Sequence, residues 1–167
     1  MSIAGIHLPN DWITSRFVIE ALGEFDLDPC QSPTQPWPCA KRGYVLANGQ
    51  DGLVLPWQGR VWLNPPYGPH APVASEDGAT PLGHRVGVRA HRHDDVSGSR
   101  VPSATAILFL KGRLHFHKPD GTRADHNSGG PSCLISWSQS AADVLRTCGL
   151  PGRLPEIPPP IDDTAEE

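Results

Sequence analysis

Residues 60–70, "RVWLNPPYGPH", constrain the chain more than any other stretch. Arg60–Leu63 has the β-branched and aromatic content of a strand, and two consecutive prolines follow, which no central strand can hold. The strand must therefore stop at Asn64, and Pro65 and Pro66 fix the chain in one extended corner. Asn is costly to bury without partners. Pro65 has no N–H, so its carbonyl is free of ladder pairing, and with the Asn64 amide oxygen it makes two converging acceptors. Tyr67 adds a flat face. Two acceptors beside an aromatic ring suit an exocyclic amino group on a planar ring. A corner of this kind belongs at the carboxyl ends of strands, where open α/β sheets bind ligands. A plain Pro-Pro turn with a packing Tyr is the competing explanation.

The flanking chain is compatible with such a sheet. "NDWITSRFVIEALG" (10–23) reads as an amphipathic helix, with Thr14 or Ser15 as cap, Phe17, Val18, Ala21 and Leu22 as stripe, and Gly23 after the last turn. "EFDLDPC" reads as a short buried strand ending at Asp28, because Pro29 follows. Residues 31–43 are a Pro-rich connection, and Asn48–Gly52 carries turn signals between two apolar runs. "ATAILFLKGRLHFH" (104–117) and "PSCLISW" (131–137) read as paired strands, and 140–148 as a short helix. Strands alternating with helices predict an α/β layer architecture over residues 1–150. The segment 151–167, ending "PEIPPPIDDTAEE", is Pro-rich and then acidic, and predicts a disordered tail.

Composition bounds the remaining options. A chain of 167 residues is enough for one core, and its net charge of −4 creates no global field that would attract nucleic acid. No apolar run approaches the ~18 residues of a membrane span, and the N-terminus lacks a signal-peptide pattern. A cytoplasmic setting without membrane partners is the expectation. Four cysteines, Cys30, Cys39, Cys133 and Cys148, show no short paired spacing. The histidines cluster around 84–93 and 115–126 without the ligand spacing of structural zinc, so no metal is expected.

In combination, several of these pieces resemble a known family. "DWITS" is similar to a Trp-x-Thr-Pro opening, with Ser15 in place of Pro. "FDLDPC" resembles an Asp-Pro-Cys element at the end of the first strand. "RGYVLANGQDGLVLPWQGRVWLNPPYG" resembles a run from Asp-Gly-Leu to Asn-Pro-Pro-Tyr, and "ATAILFLKGRLHFHKPDGTRADHNSGGPSCLI" a C-terminal hairpin. Together they resemble the phage-type DNA N6-adenine methyltransferases, over about 10–68 and 102–150. The resemblance implies a Rossmann-like methyltransferase sheet with helices on both faces, bacterial or phage origin, S-adenosylmethionine as cofactor and double-stranded DNA as partner. It implies that Asp28, beside Pro29, faces the cofactor's ammonium, that Asp51 accepts from its adenosine end, and that Trp12 and Thr14 line its methionine side. Asn64, Pro65, Pro66 and Tyr67 would hold and stack the extruded adenine. Transfer would be direct attack by nitrogen on the sulfonium methyl, without a covalent Cys intermediate. Lys111, Arg113, His115, His117, Lys118 and Arg123 form the most basic stretch, suited to DNA phosphates; a solvated basic face explains them as well. Two alternatives stay open: methylation of a protein glutamine or an RNA base, and a degenerate remnant that only binds nucleic acid.

One segment departs from the pattern. Residues 69–101 show neither helical nor strand periodicity, so a sheet built without them has a gap beside the site. The genetic code offers a resolution. Shifted by one nucleotide through Pro72–Ser97, permitted codons can read "LWLRKMAQHPLGIALVFARTDTMMFQ", an amphipathic stretch followed by an apolar strand. A compensating pair of indels would leave both flanks in frame; a divergent loop-like insertion is the alternative.

Overall fold

The computed structural model describes residues 12–64 and 104–155, and the backbone of 85–90. It is a mixed α/β structure. In chain order the elements are α1 (Arg16–Leu22), β1 (Leu27–Asp28), β2 (Arg42–Gly43), a 3-10 turn (Leu46–Asn48), β3 (Val61–Leu63), β4 (Arg85–Ala90), β5 (Ala106–Leu110), β6 (Ser132–Ser136), α2 (Gln139–Thr147) and β7 (Gly152–Arg153).

The strands line up as β2-β1-β3-β4-β6-β5-β7. The first four run parallel, with Leu27 beside Arg42 on one edge and Val61 on the other, and Val61 beside Arg85. β6 is reversed and lies between β4 and β5, and β7 closes the far edge against β5. From β1 the chain moves outward to β2, then returns to the other side of β1 with β3. The order of strands therefore reverses between β1 and β3.

Alternation along β3 divides the interior. Trp62 joins the larger cluster with Val18, Ile19 and Leu22 of α1, Phe25, Leu108, Leu134 and Ala141, Ala142 and Leu145 of α2. Val61 instead packs with Leu27 and Trp57. Fully burying side chains of this size contributes roughly 1.5–3 kcal/mol each, so these two groups dominate the fold's stability. Arg60 closes the exit of α1: its guanidinium donates to the Leu22 and Glu24 carbonyls and lies 4.4 Å above the Phe25 ring. A cation there also opposes the negative end of the helix.

Several expectations match: β1 ends at Asp28, β3 ends before Asn64, and β5 and β6 pair as an antiparallel hairpin. Three are corrected. Helix α1 runs between Ser15 and Gly23 as expected, but Phe17, placed on its apolar stripe, is exposed while Ile19 is buried. Both described helices contribute to one apolar cluster. The segment 69–101, read as lacking a strand, supplies β4, because β3 and β6 together offer a slot with unpaired backbone on both sides. The boundary expected after residue 150 falls inside the sheet, since Gly152 and Arg153 pair with Leu110 and Phe109.

Candidate functional site

Open α/β sheets bind ligands at the carboxyl ends of strands where the strand order reverses. Here that position lies between β1, which ends at Asp28, and β3, which is followed by Asn64. Of the residues singled out in the sequence, Asp28 ends β1 and Asn64 follows β3.

Asp28 is only 4% exposed. The Cys30 N–H donates to its Oδ1 at 2.9 Å. Burial pushes its carboxyl up to about 7, against the opposing effects of that N–H and the Gln35 side chain. Such a shift means that no cation among the described residues compensates the buried charge. Asp51 lies close by, since Cys30 feels both carboxylates and, mainly through burial, is pushed up to about 12. Cys39 is raised to about 12 by the same cause. Both thiols are therefore protonated and poor nucleophiles.

The loop carrying Asp51 is pressed onto the exit of β1. A Cβ on Gly52 would stand 2.1 Å from the Pro29 carbonyl, so only glycine permits this approach. Asp51 itself caps its own turn: its Oδ1 accepts from the Leu53 N–H at 2.9 Å, and its carbonyl accepts from Val54 and Leu55. Asp51 thus has a structural task beside any role toward a ligand.

Trp12 to Ser15 form an extended strap between the β3 exit and the hairpin after β5. Ile13 and His117 exchange both backbone hydrogen bonds, at 2.9 and 2.8 Å. The Thr14 carbonyl accepts from the Trp37 indole at 3.0 Å. The Trp12 carbonyl accepts from Nδ2 of Asn64 at 3.0 Å. A carbonyl can only accept, so the nitrogen end of the Asn64 amide must face it. The Oδ1 end is then turned away, and among the described residues it is buried without a partner. Thr14 is 1% exposed, and its Oγ1 is likewise buried and unpartnered. Native structures rarely leave such atoms unsatisfied, so each is open to a partner from outside the described residues. Pro65, Pro66 and Tyr67 lie outside the described residues.

The basic residues divide into two groups. Lys111, Arg113 and Arg123 are exposed. Arg113 donates to the Gly129 carbonyl at 2.9 Å, and Lys118 pairs with Asp125 at 3.1 Å. His115 is not a surface phosphate ligand through Nδ1, which is buried and unpartnered. The His117 imidazole is held below its usual range by burial, with Arg123 and His115 adding to the effect. The formal positive excess of the hairpin 111–126 is modest, four cations against two carboxylates.

Sequence reasoning missed Gln35, the Cys30 N–H and Trp37 as parts of this place. The Pro-rich stretch that holds Trp37 carried one signal, an aromatic in a turn-rich connection. The Cys30 N–H carried none, since a backbone donor has no letter of its own. Among the described residues no His, Cys, Asp and Glu cluster suits a metal ion, and no helix is long and apolar enough to cross a membrane. No family model, no curated protein and no solved structure matches the chain, so its resemblance to other proteins rests on the motifs quoted above.

Proposed function

We propose that the chain is an S-adenosylmethionine-dependent DNA adenine-N6 methyltransferase on a Rossmann-like sheet. The observation that carries this reading is Asn64: at the exit of β3, its amide nitrogen is taken by Trp12 and its buried Oδ1 is left as an unpartnered acceptor. An acceptor held in that state suits an N–H donor such as an exocyclic amine.

The nearby side chains fit the cofactor. Asp28 is a buried carboxylate without a cation among the described residues, which suits an ammonium group, and Asp51 and the Thr14 hydroxyl offer further polar atoms. When bound, S-adenosylmethionine supplies an electrophilic methyl group on sulfur. The protein's part is to hold the amine. Asn64 Oδ1 accepts one N–H, which fixes the nitrogen's orientation and stabilises positive charge developing on it. An amide oxygen is too weak a base to keep the proton that the nitrogen sheds, so that proton passes to water. Two neutral thiols, the half-buried Cys30 and the buried Cys39, agree with a route that needs no Cys nucleophile. Within the hairpin, Lys111, Arg113 and Arg123 are exposed cations available to DNA phosphates.

The test is methyl transfer from labelled cofactor to unmethylated DNA, followed by nucleoside analysis. Label in 6-methyladenine is the expected result; label only in RNA or protein assigns another acceptor, and no transfer rejects the proposal. Asn64→Ala is expected to lower transfer by about 10²-fold or more while cofactor affinity stays unchanged.

A further inference from the structure

The hydroxyl of Ser15 is used in an unusual way. Ser15 precedes α1 as its N-cap residue, yet its side chain makes no capping hydrogen bond to the helix. Ser at this position ordinarily accepts from an N–H of the first turn. Here Oγ instead donates to the carbonyl of His115, a residue 100 positions away, and lies 3.4 Å from Nδ1 of His117. Helix α1 goes without its cap, and the strap gains a tie to the hairpin.

That tie sits at one end of a short chain of contacts. Ser15 is held to His115, Ile13 to His117, and Trp12 to Asn64. The Ile13 and Trp12 links use the strap's main-chain groups, which no side-chain substitution there removes. Ser15 is the strap residue whose own side chain makes a link. Its backbone has φ −55° and ψ 133°, close to the conformation that a proline ring would impose, and no backbone acceptor takes its N–H among the described residues. The hydroxyl achieves by hydrogen bonding what a ring would achieve covalently.

We infer that Ser15 is a positioning residue: it fixes the Trp12–Ser15 strap so that the Trp12 carbonyl occupies the Asn64 amide nitrogen and leaves Oδ1 aimed at the acceptor amine. This inference rests on the function proposed above for what Oδ1 receives, but its geometric core can be measured without transfer. Loosening the strap lets the Asn64 amide rotate, which degrades the reactive orientation while leaving the cofactor carboxylates untouched. Thr14 lies in the same strap, so cofactor KM shifts as well, but the defect falls more heavily on kcat.

The experiment uses the full chain with Ser15→Ala, Ser15→Thr and Ser15→Pro. Methyl transfer to DNA gives kcat and cofactor KM, NMR gives solvent exchange of the Asn64 side-chain NH2 protons, and thermal unfolding checks the fold. In Ser15→Ala, kcat is expected to fall about five-fold or more with a smaller change in cofactor KM, and Asn64 exchange is expected to accelerate by a factor similar to the fall in kcat. Ser15→Thr keeps the hydroxyl and Ser15→Pro keeps the backbone angle, and both are expected to recover most of the loss. Unchanged kcat and exchange in Ser15→Ala overturn the inference. So does a loss that Ser15→Thr shares in full, because the hydroxyl would then not be what holds the strap. A wild-type chain that transfers no methyl group rejects the function proposed above; the exchange measurement then decides the strap alone, and no acceleration in Ser15→Ala overturns it.

Discussion

Asp28 and Asn64 are both polar side chains placed where a strand leaves the sheet, but they differ in what their surroundings supply. Asn64 has one end satisfied and one end open. Asp28 has donors but no cation, and burial raises it to about 7 from an ordinary value of 3.8. The folded chain therefore binds this proton more tightly than the unfolded chain does. Stability contributed by the protonated group is present below about 4, is lost as pH rises toward 7, and levels off above it. The loss is on the order of a few kcal/mol. Asp28→Asn is expected to flatten this part of the pH–stability curve and to be the more stable chain at pH 8, as thermal unfolding between pH 4 and 9 would show. Under the proposed function the same carboxyl must ionise to accept an ammonium. Cofactor affinity is then expected to rise with pH up to about 7 and to become nearly flat beyond it. Calorimetric binding across that range checks this, and an affinity that does not change through pH 7 removes Asp28 from the cofactor site.

The elements show which features are legible in a sequence. β1 and β3 could be located because each ends against a proline, and the β5–β6 hairpin because its strands are apolar and β-rich. The residue types of the site were legible for a similar reason: Asn64 and Asp28 sit at those strand ends. Ser15 was legible as a helix cap by type, but its hydroxyl bonds to His115, and no local rule predicts a partner that distant. The approach of the Asp51–Gly52 turn to β1 is also a tertiary fact, although Gly52 has a local reading as a turn residue. Gly52→Ala drives a methyl group into the Pro29 carbonyl, so the turn must move. Destabilisation of about 1–3 kcal/mol is expected, readable in urea unfolding. In the hairpin, Lys111 and Arg123 are exposed, while Lys118 is held by Asp125. If the hairpin contacts phosphates, Lys111→Ala and Arg123→Ala should each lower the salt dependence of DNA binding by about one unit of slope. Lys118→Ala should change it less.

At the scale of the whole molecule, β4 is where sequence and architecture conflict. It is paired on both sides, parallel to β3 and antiparallel to β6, and so occupies the middle of the sheet. Strands in that position ordinarily read as nearly continuous apolar runs. This one reads Arg85, Val86, Gly87, Val88, Arg89, Ala90, and its glycine offers no side chain to pack. That composition is why periodicity missed the strand: pairing partners on both sides override a weak local preference. The reading shifted by one nucleotide through Pro72–Ser97 places "ALVFAR" over the same six positions, an apolar run where a central strand needs one. The two readings thus agree on where the strand lies and differ in how well it suits the place. We expect the codons of residues 72–97 to permit the shifted reading, and nucleotide sequencing of that region decides the point. A codon incompatible with it at any position removes the idea. The protein-level counterpart is a chain carrying the shifted residues at 72–97 between unchanged flanks. Each large apolar side chain buried in β4 contributes roughly 1.5–3 kcal/mol, against a net stability of only ~5–15 kcal/mol for a domain of this size. The altered chain is therefore expected to unfold at distinctly higher urea than the chain as given, and to transfer methyl groups at least as well. Equal unfolding midpoints would mean that the Arg- and Gly-bearing strand meets the requirements of the central position as it stands.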